Sequence, residues 1–407
     1  MYIEKRSEKK KRGRKFLPVI FISLLAAALL IVILSIHGTR KATRIQQAYA
    51  PGSAQGMTPV ATENTGAASG STAEETPTEP PQEPFDYTLC FSGDISVADG
   101  ARTTQYWLDH DKDITQCIDP VMVQTMQNAD ICFINNEFQY STRGSALPGK
   151  PFTFRGDPAN VSVLHDLGVD IVSLANNHTY DYGEDALLDT LDTLKNANIP
   201  YVGAGKDLDE ASSIYYYELD GFTVAFLSGT RVEWVEETKG ATENSPGVFR
   251  TVEPDLLYQR TKEASANADY VVVYMHWGVE TATYQEEYQT ETGHGLIDAG
   301  ADAVIGDHTH CLQGIEFYNG KPILYSMGNY WFNGKSMDTM LAELHISGTA
   351  DAHETQLQLI PARQTNCQVI YYGTPEEQST FFRNMEDLSS AYHISIDENG
   401  LVTPAVE

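Results

Sequence analysis

His178, His276, His308 and His310, with Asp94, Glu137 and Asn177, are the residues of this 407-residue chain whose types and spacing could do chemistry. Each stands at or just past the end of a short apolar run. Thr88 to Phe91 leads to Gly93-Asp94, Ile131 to Ile134 leads to Asn135-Asn136-Glu137, and Ile171 to Leu174 leads to Asn176-Asn177-His178. Val271 to Met275 ends in His276, and Ala303 to Ile305 ends in Gly306-Asp307-His308-Thr309-His310. Imidazole, carboxylate and amide oxygen together form the ligand set of a divalent ion such as Mn²⁺, Zn²⁺ or Fe, and a site for one or two such ions is the chemistry they support. On an extended loop His308 and His310 would face opposite ways and could reach two ions about 3.5 to 4 Å apart. A single His at a strand end is more often a satisfied polar residue; recurrence at the ends of successive runs is what argues for convergence.

The elements that would bring these residues together are also legible. Helical patterns precede four of the apolar runs, and in open α/β sheets the carboxyl ends of the strands gather on one edge, where ligands bind. Leu187, Leu188, Leu191 and Leu194 follow helical spacing before a further strand, Ile199 to Val202. Ile214 to Leu219 and Phe222 to Leu227 flank Asp220-Gly221, and Ile315 to Phe317 and Ile323 to Tyr325 flank Asn319-Gly320, which are hairpin signals. Helix-linked units plus hairpins predict a mixed α/β sheet. Past about Ile360 the pattern thins, with Gln368 to Tyr372 read as an edge strand and Pro375 to Tyr392 as a helix. Trp277, Tyr325, Tyr330 and Trp331 lie beside the cluster and are read as core packing or as the lining of a substrate groove.

The ordered motifs Gly93-Asp94, Ala175 to Gly183, His276-Trp277-Gly278-Val279-Glu280, Gly300 to His310 and Tyr325-Ser326-Met327-Gly328-Asn329-Tyr330 resemble the CapA family of capsule-synthesis proteins. That family is associated with poly-γ-glutamate and related to calcineurin-like metallophosphoesterases. The resemblance covers about Tyr87 to Phe332 and implies a four-layer α/β/β/α sandwich of mixed sheets with a metal centre at the strand ends. It makes Asp94 the first-strand ligand and Glu137 the bridging carboxylate, in place of the Asp of the wider superfamily. Asn177, His276, His308 and His310 match the remaining metal ligands, and His178 matches a residue that protonates a leaving group or holds the scissile phosphate, so it is the candidate general acid. Arg155 and Asn176 are read as substrate contacts. Asp181, Glu280 and Asp307 either orient the imidazoles or cap turns. One departure stands out: Asp94-Ile95-Ser96 replaces the Asp-x-His of the phosphoesterases, which removes one imidazole.

Composition and organisation fit an anchored surface protein. Residues 16–36 carry no charge and are long enough for a transmembrane helix. Eight Lys and Arg precede them in a basic cytoplasmic tail, 1–15, against Arg40, Lys41 and Arg44 beyond, which predicts a signal anchor with an exported C-terminal part. A cleaved signal peptide ending at Ala48-Tyr49-Ala50 is the rival reading. Residues 37–84 are rich in Thr, Ala, Gly, Pro and Glu and read as a disordered stalk, followed by a CapA-like metallophosphatase-fold domain, 85–360, and an extension, 361–407. Beyond residue 44 there are 16 basic against 54 acidic residues, a net charge of −38. That acidity argues against nucleic acid, which needs clustered Lys and Arg. An anionic polymer would need a local basic patch, for which Arg155, Arg231, Arg250 and Lys321 are the candidates. Five scattered Cys do not make a disulfide framework. Two functions are expected from this reading: a membrane-anchored, divalent-metal-dependent hydrolase in capsule or poly-γ-glutamate synthesis, or a non-catalytic component that binds polymer or membrane capsule-synthesis proteins.

Overall fold

The alternation of side chains along the central strands decides the architecture. On the Phe85–Ile95, Ile131–Asn136 and Ile171–Ser173 strands, Leu89, Phe91, Ile131, Phe133 and Ile171 face one way. They pack into one core with Val224, Phe226, Val272, Tyr274, Ala303 and Ile305 of a second sheet. The intervening Cys90, Cys132, Ile134 and Val172 face helices instead, where they meet Met122, Met126, Leu164, Leu187, Leu191 and Leu194. Val271, Val273 and Met275 turn away from the second sheet onto another set of helices, against Leu257, Ala264, Leu296 and Ile297. Burial on both faces is why these strands read as unbroken apolar runs rather than alternating ones. The chain is therefore mixed α/β, with its layers in the order helices, sheet, sheet, helices.

The computed structural model describes residues 84–232, 238–349 and 352–405. The basic tail, the apolar span and nearly all of the stalk lie outside the described residues. Among the described residues no helix is long and apolar enough to cross a membrane.

In the first sheet, Phe85–Ile95, Ile131–Asn136, Ile171–Ser173 and Tyr201–Val202 run parallel in that spatial order. Helices Pro120–Asn128, Ser162–Asp166 and Glu184–Asn196 fall in the connections. In the second, Ala303–Asp307, Tyr270–Gly278 and Phe222–Val232 are parallel, with Val272 opposite Ala303 and His276 opposite Asp307. The expected hairpins close both edges: Tyr215–Leu219 against Phe222–Val232, and Ile315–Tyr318 against Lys321–Leu324.

The C-terminal third adds elements that the sequence pattern does not announce. Met337–Thr349 lies antiparallel to Phe85–Ile95, and Ala352–Thr365 lies antiparallel to it in turn. The latter strand runs across residue 360, and Gln368–Tyr371, Leu401–Pro404 and Ile394–Ile396 extend the same sheet. Helix Pro375–Leu388 begins at a capping box formed by Thr374 and Glu377 and stops short of Tyr392. It sends Phe381, Phe382 and Met385 into the core between the sheets. Trp277, Tyr325, Tyr330 and Trp331 are fully buried, with Trp277 Nε1 donating to the Tyr325 carbonyl at 2.8 Å, so these aromatics are core and not groove lining. All five cysteines are free thiols.

Candidate metal centre

Two close backbone approaches create the site. The Phe85–Ile95 strand shifts register at Asp94, and Asp94 N donates to Gly328 O at 3.0 Å, which draws the segment around Asn329 onto the strand end. A Cβ at Gly93 would lie 1.9 Å from that same carbonyl, so only glycine permits the contact. In the second sheet the register that sets His276 beside Asp307 also sets the following loop, 308–310, over the same edge. The loop is not extended as expected. His308 and His310 both have positive φ, 96° and 57°, a region that non-glycine residues seldom occupy and that is held only when the surroundings over-determine it. The consequence resembles the expectation by another route: the two imidazoles serve different parts of the cluster. His308 Nδ1 lies 3.1 Å from His276 Nε2, and His310 Nδ1 lies 3.1 Å from Asp94 Oδ2 and 2.8 Å from Asn329 Oδ1.

Both sheets supply donors to one buried cluster. His276 Nδ1 is 2.7 Å from Asp307 Oδ1; with Asp307 ionised, as beside a bound cation, this bond puts the ring proton on Nδ1 and leaves Nε2 as a lone pair. That lone pair faces Asn177 Oδ1 at 2.9 Å and Glu137 Oε1 at 4.0 Å. Glu137 is fully buried and its Oε1 has no hydrogen-bond partner. Acceptors that converge on one another in a dry interior are unfavourable unless a cation or a proton sits among them. A second group, Asp94, Glu137 and His310, has donor atoms within 4.8 Å of one another. Asp94, His276 and Asp307 form another such group, but there Nδ1 of His276 is already bonded to Asp307, so we read Asp307 as the orienting acceptor. The residues thus fit a divalent centre: Asn177, His276 and His308 on one side, Asp94 and His310 on the other, and Glu137 within reach of both.

The electrostatics point the same way. Burial, reinforced by the charge of Asp94, pushes Glu137 well above the usual carboxylate range, and burial followed by Asp94 does the same to Asp307. Burial alone would raise Asp94 too, but the bond and charge of His310, with the charge of His276, hold it well below that range. Burial, then neighbouring His308, depresses His276. Without a cation Glu137 and Asp307 are pushed toward the protonated form while Asp94 is held ionised; a bound divalent ion would favour all three as carboxylates.

His178 stands beside the cluster rather than in it. Its Nδ1 lies 2.6 Å from Asp181 Oδ2, its Nε2 is 3.8 Å from Glu137 Oε1, and its ring packs on Phe154 with centroids 4.2 Å apart. Burial lowers its pKa against the opposing pull of Asp181. Phe332 contacts both the His310 ring, at 4.9 Å, and Phe154, at 5.6 Å, so two half-buried phenylalanines wall the side of the cluster next to both imidazoles.

Other expected residues are placed differently. Asn176 is 1% exposed; its amide donates to Asn135 Oδ1 at 2.9 Å and Asn136 O at 3.0 Å, and its oxygen accepts from His178 N and Thr179 Oγ1. It shapes the loop rather than facing a substrate. Arg155 donates to Arg143 O at 2.7 Å and lies over the Tyr182 ring. Glu280 is exposed, and its charge adds to the upward shifts of Glu137 and His310. Arg231 lies over Tyr288, Arg250 reaches Thr238 O at 3.4 Å, and Lys321 pairs with Asp302 at 2.8 Å. Lys321 begins a strand parallel to Ala303–Asp307, which puts it at the edge opposite the cluster, so the four cations do not form one patch.

Three participants were not singled out from the sequence. Asn135 donates to Asp94 Oδ1 at 3.0 Å and Glu137 Oε2 at 3.3 Å, and its place at a strand end was the signal. Asn329 holds His310. Lys150 has no periodicity or motif around it, yet its ammonium is buried against Asp181.

With this geometry in view, comparison with known proteins is direct. The family model described as bacterial capsule synthesis protein PGA_cap matches residues 88–334. Among curated proteins, the PGA biosynthesis protein CapA of Bacillus subtilis is 36% identical over 208 residues, covering 49% of this chain and 53% of that protein. The capsule biosynthesis protein CapA of Bacillus anthracis is 34% identical, covering 47% and 48%, and a probable polyglutamine synthesis accessory protein of Mycobacterium tuberculosis is 31% identical, covering 58% and 66%. The chain thus spans about half the length of the first two. Among solved structures, an NAD nucleotidase of Haemophilus influenzae aligns at 12% identity and a TM-score of 0.37, covering 75% of this chain and 63% of that one, a likeness too weak to bear on the site. The span of the family match, which contains every element that meets at the strand ends, makes this chain a member of the bacterial capsule synthesis family PGA_cap.

Proposed function

We propose that the protein is a membrane-anchored, extracytoplasmic component of capsule or polyglutamate synthesis whose strand-end cluster is a divalent-metal hydrolase site of the phosphoesterase type. The observation that carries the metal reading is the buried, unpartnered Glu137 Oε1 facing the lone pair of His276 Nε2 and, beyond it, Asn177 Oδ1. The relatives' names support the polymer, and the uncharged run 16–36 with the basic tail before it supports the anchor.

Asp94, Glu137, Asn177, His276, His308 and His310 would hold a divalent ion, which would supply Lewis-acid stabilisation of developing charge and a nucleophilic water near neutral pH. The chain's own groups do the rest. An ionised Asp307 would accept from His276 Nδ1–H and so keep Nε2 free of a proton. Asp181 accepts a hydrogen bond from His178 Nδ1–H and favours the imidazolium, so Nε2 can hold a proton on the side facing the cluster and deliver it to a leaving oxygen. Phe154 and Phe332 shield that transfer from bulk water.

Ser96 favours a second reading. It occupies the position of the missing imidazole, and its hydroxyl is buried without a hydrogen-bond partner. With one fewer donor beside Asp94, that half could be weakly occupied and the protein could serve as a polymer-binding scaffold. Capsule or polyglutamate output from cells carrying His178→Ala, at matched protein level, separates the two. The enzyme loses output with its metal retained; the scaffold keeps it.

A further inference from the structure

We propose that Lys150 is a positioning residue of the centre: one buried ammonium that locks the metal-donor Asn177 and the acid His178 in register with each other. The inference rests on the metal-centre reading above and extends it to a residue outside every motif of the family resemblance.

The geometry is specific. The Lys150 side chain is 5% exposed, and its Nζ lies 2.6 Å from Asp181 Oδ1, which is fully buried. The same Nζ donates to the main-chain carbonyl of Asn177. Asp181 uses its other oxygen to accept from His178 Nδ1 at 2.6 Å and from Phe154 N at 2.6 Å. Lys150 therefore grips both ends of the tight turn that runs from Asn177 to Asp181. One end presents Asn177 Oδ1 to His276 Nε2, and the other fixes the imidazole so that Nε2 faces Glu137. A buried lysine is costly to keep unless its charge and donors are matched, and here a buried carboxylate and a carbonyl match it. Ammonium is a compact donor able to serve two acceptors in different directions, which suits this task better than a planar guanidinium.

Outer partners of metal donors typically contribute about 10- to 100-fold in metal affinity. The test is Mn²⁺ titration of the purified full-length protein, stripped with chelator, alongside the imidazole Nδ1–H resonance of His178 in the metal-free state. In Lys150→Met we expect the affinity at the Asn177, His276 and His308 half to fall about 10- to 100-fold, with the Asp94 and His310 half nearly unchanged, and the resonance to broaden or move. Lys239 and Arg250, which line the neighbouring cavity of about 860 Å³ together with Lys150, provide controls: Lys239→Met and Arg250→Met leave both readouts as in wild type. If Lys150→Met does not fold, Lys150→Gln, which retains a donor but no charge, carries the same comparison. Wild-type affinity at both halves with an unchanged His178 resonance overturns the proposal, as does an equal loss at both halves, which indicates general loosening. Absence of Mn²⁺ binding in wild type is a different result and overturns the metal centre itself.

Discussion

Glu137→Gln should stabilise the metal-free protein while abolishing its response to metal, two effects of opposite sign from one isosteric change. In the metal-free state Glu137 Oε1 is buried and unpartnered, and burial together with Asp94 raises the pKa of the carboxyl well above its usual range. The folded state therefore binds a proton that the unfolded state releases. Stability from this group is full below the unfolded pKa and is lost as pH rises through the folded one, so at neutral pH it opposes folding. A neutral amide removes that dependence and offers a donor where His276 Nε2, 4.0 Å away, and Asn177 Oδ1 present lone pairs. Relieving a buried unsatisfied polar atom is worth about 1 to 3 kcal/mol. At roughly 2 °C per kcal/mol for a domain of this size, the chelator-treated variant should melt about 2 to 6 °C above wild type, with the gap widening as pH rises. With Mn²⁺ at about 1,000 times its dissociation constant, wild type should gain about 4.1 kcal/mol and overtake the variant, which gains nothing. Thermal unfolding in chelator and in Mn²⁺, at several pH values, reads all four states. A variant that melts below wild type in chelator and keeps the full metal increment would refute the reasoning.

The other predictions concern separate parts of the site. Replacing His178 with Ala should leave Mn²⁺ stoichiometry intact while turnover, or polymer output if no simple substrate is found, drops about 10² to 10⁴-fold; loss of metal with it would show that His178 is a ligand. Asp94→Asn should weaken the half of the centre that includes His310 and leave the half that includes Asn177, visible as one altered step in a two-step metal titration; two unchanged steps would remove Asp94 from the donor set. Gly93→Ala should destabilise by about 3 kcal/mol or more, because its Cβ would meet Gly328 O at 1.9 Å; a soluble variant with unchanged unfolding midpoint would show that the two segments can separate freely.

How much of this was legible in the sequence depends on what kind of contact each part makes. The strand ends were legible because chemistry-bearing residues followed apolar runs that could only be buried strands, and Asp94, Glu137, Asn177, His276, His308 and His310 do meet. The backbone of the 308–310 loop was not, since left-handed φ at two histidines is set by tertiary packing and not by any local preference of the residue. The strands Met337–Thr349 and Ala352–Thr365 escaped for a related reason. Their outer positions carry Glu343, His345, Glu354 and Gln356, and Gly348 interrupts one of them, so pairing with each other and with Phe85–Ile95 supplies what the pattern lacks.

Lys150 and Asn176 show where residue type misleads. A lysine in a loop reads as solvated and an asparagine beside a presumed ligand reads as a substrate contact, yet the lysine is buried in an ion pair and the asparagine is bonded on every side to its own chain. Both outcomes follow from one requirement. A short turn that must hold an amide oxygen and an imidazole at fixed positions, beside three buried carboxylates, has to satisfy its own donors and hold its orienting acid in place. Asn176 meets the first need from within the turn, and Lys150 meets the second from outside it.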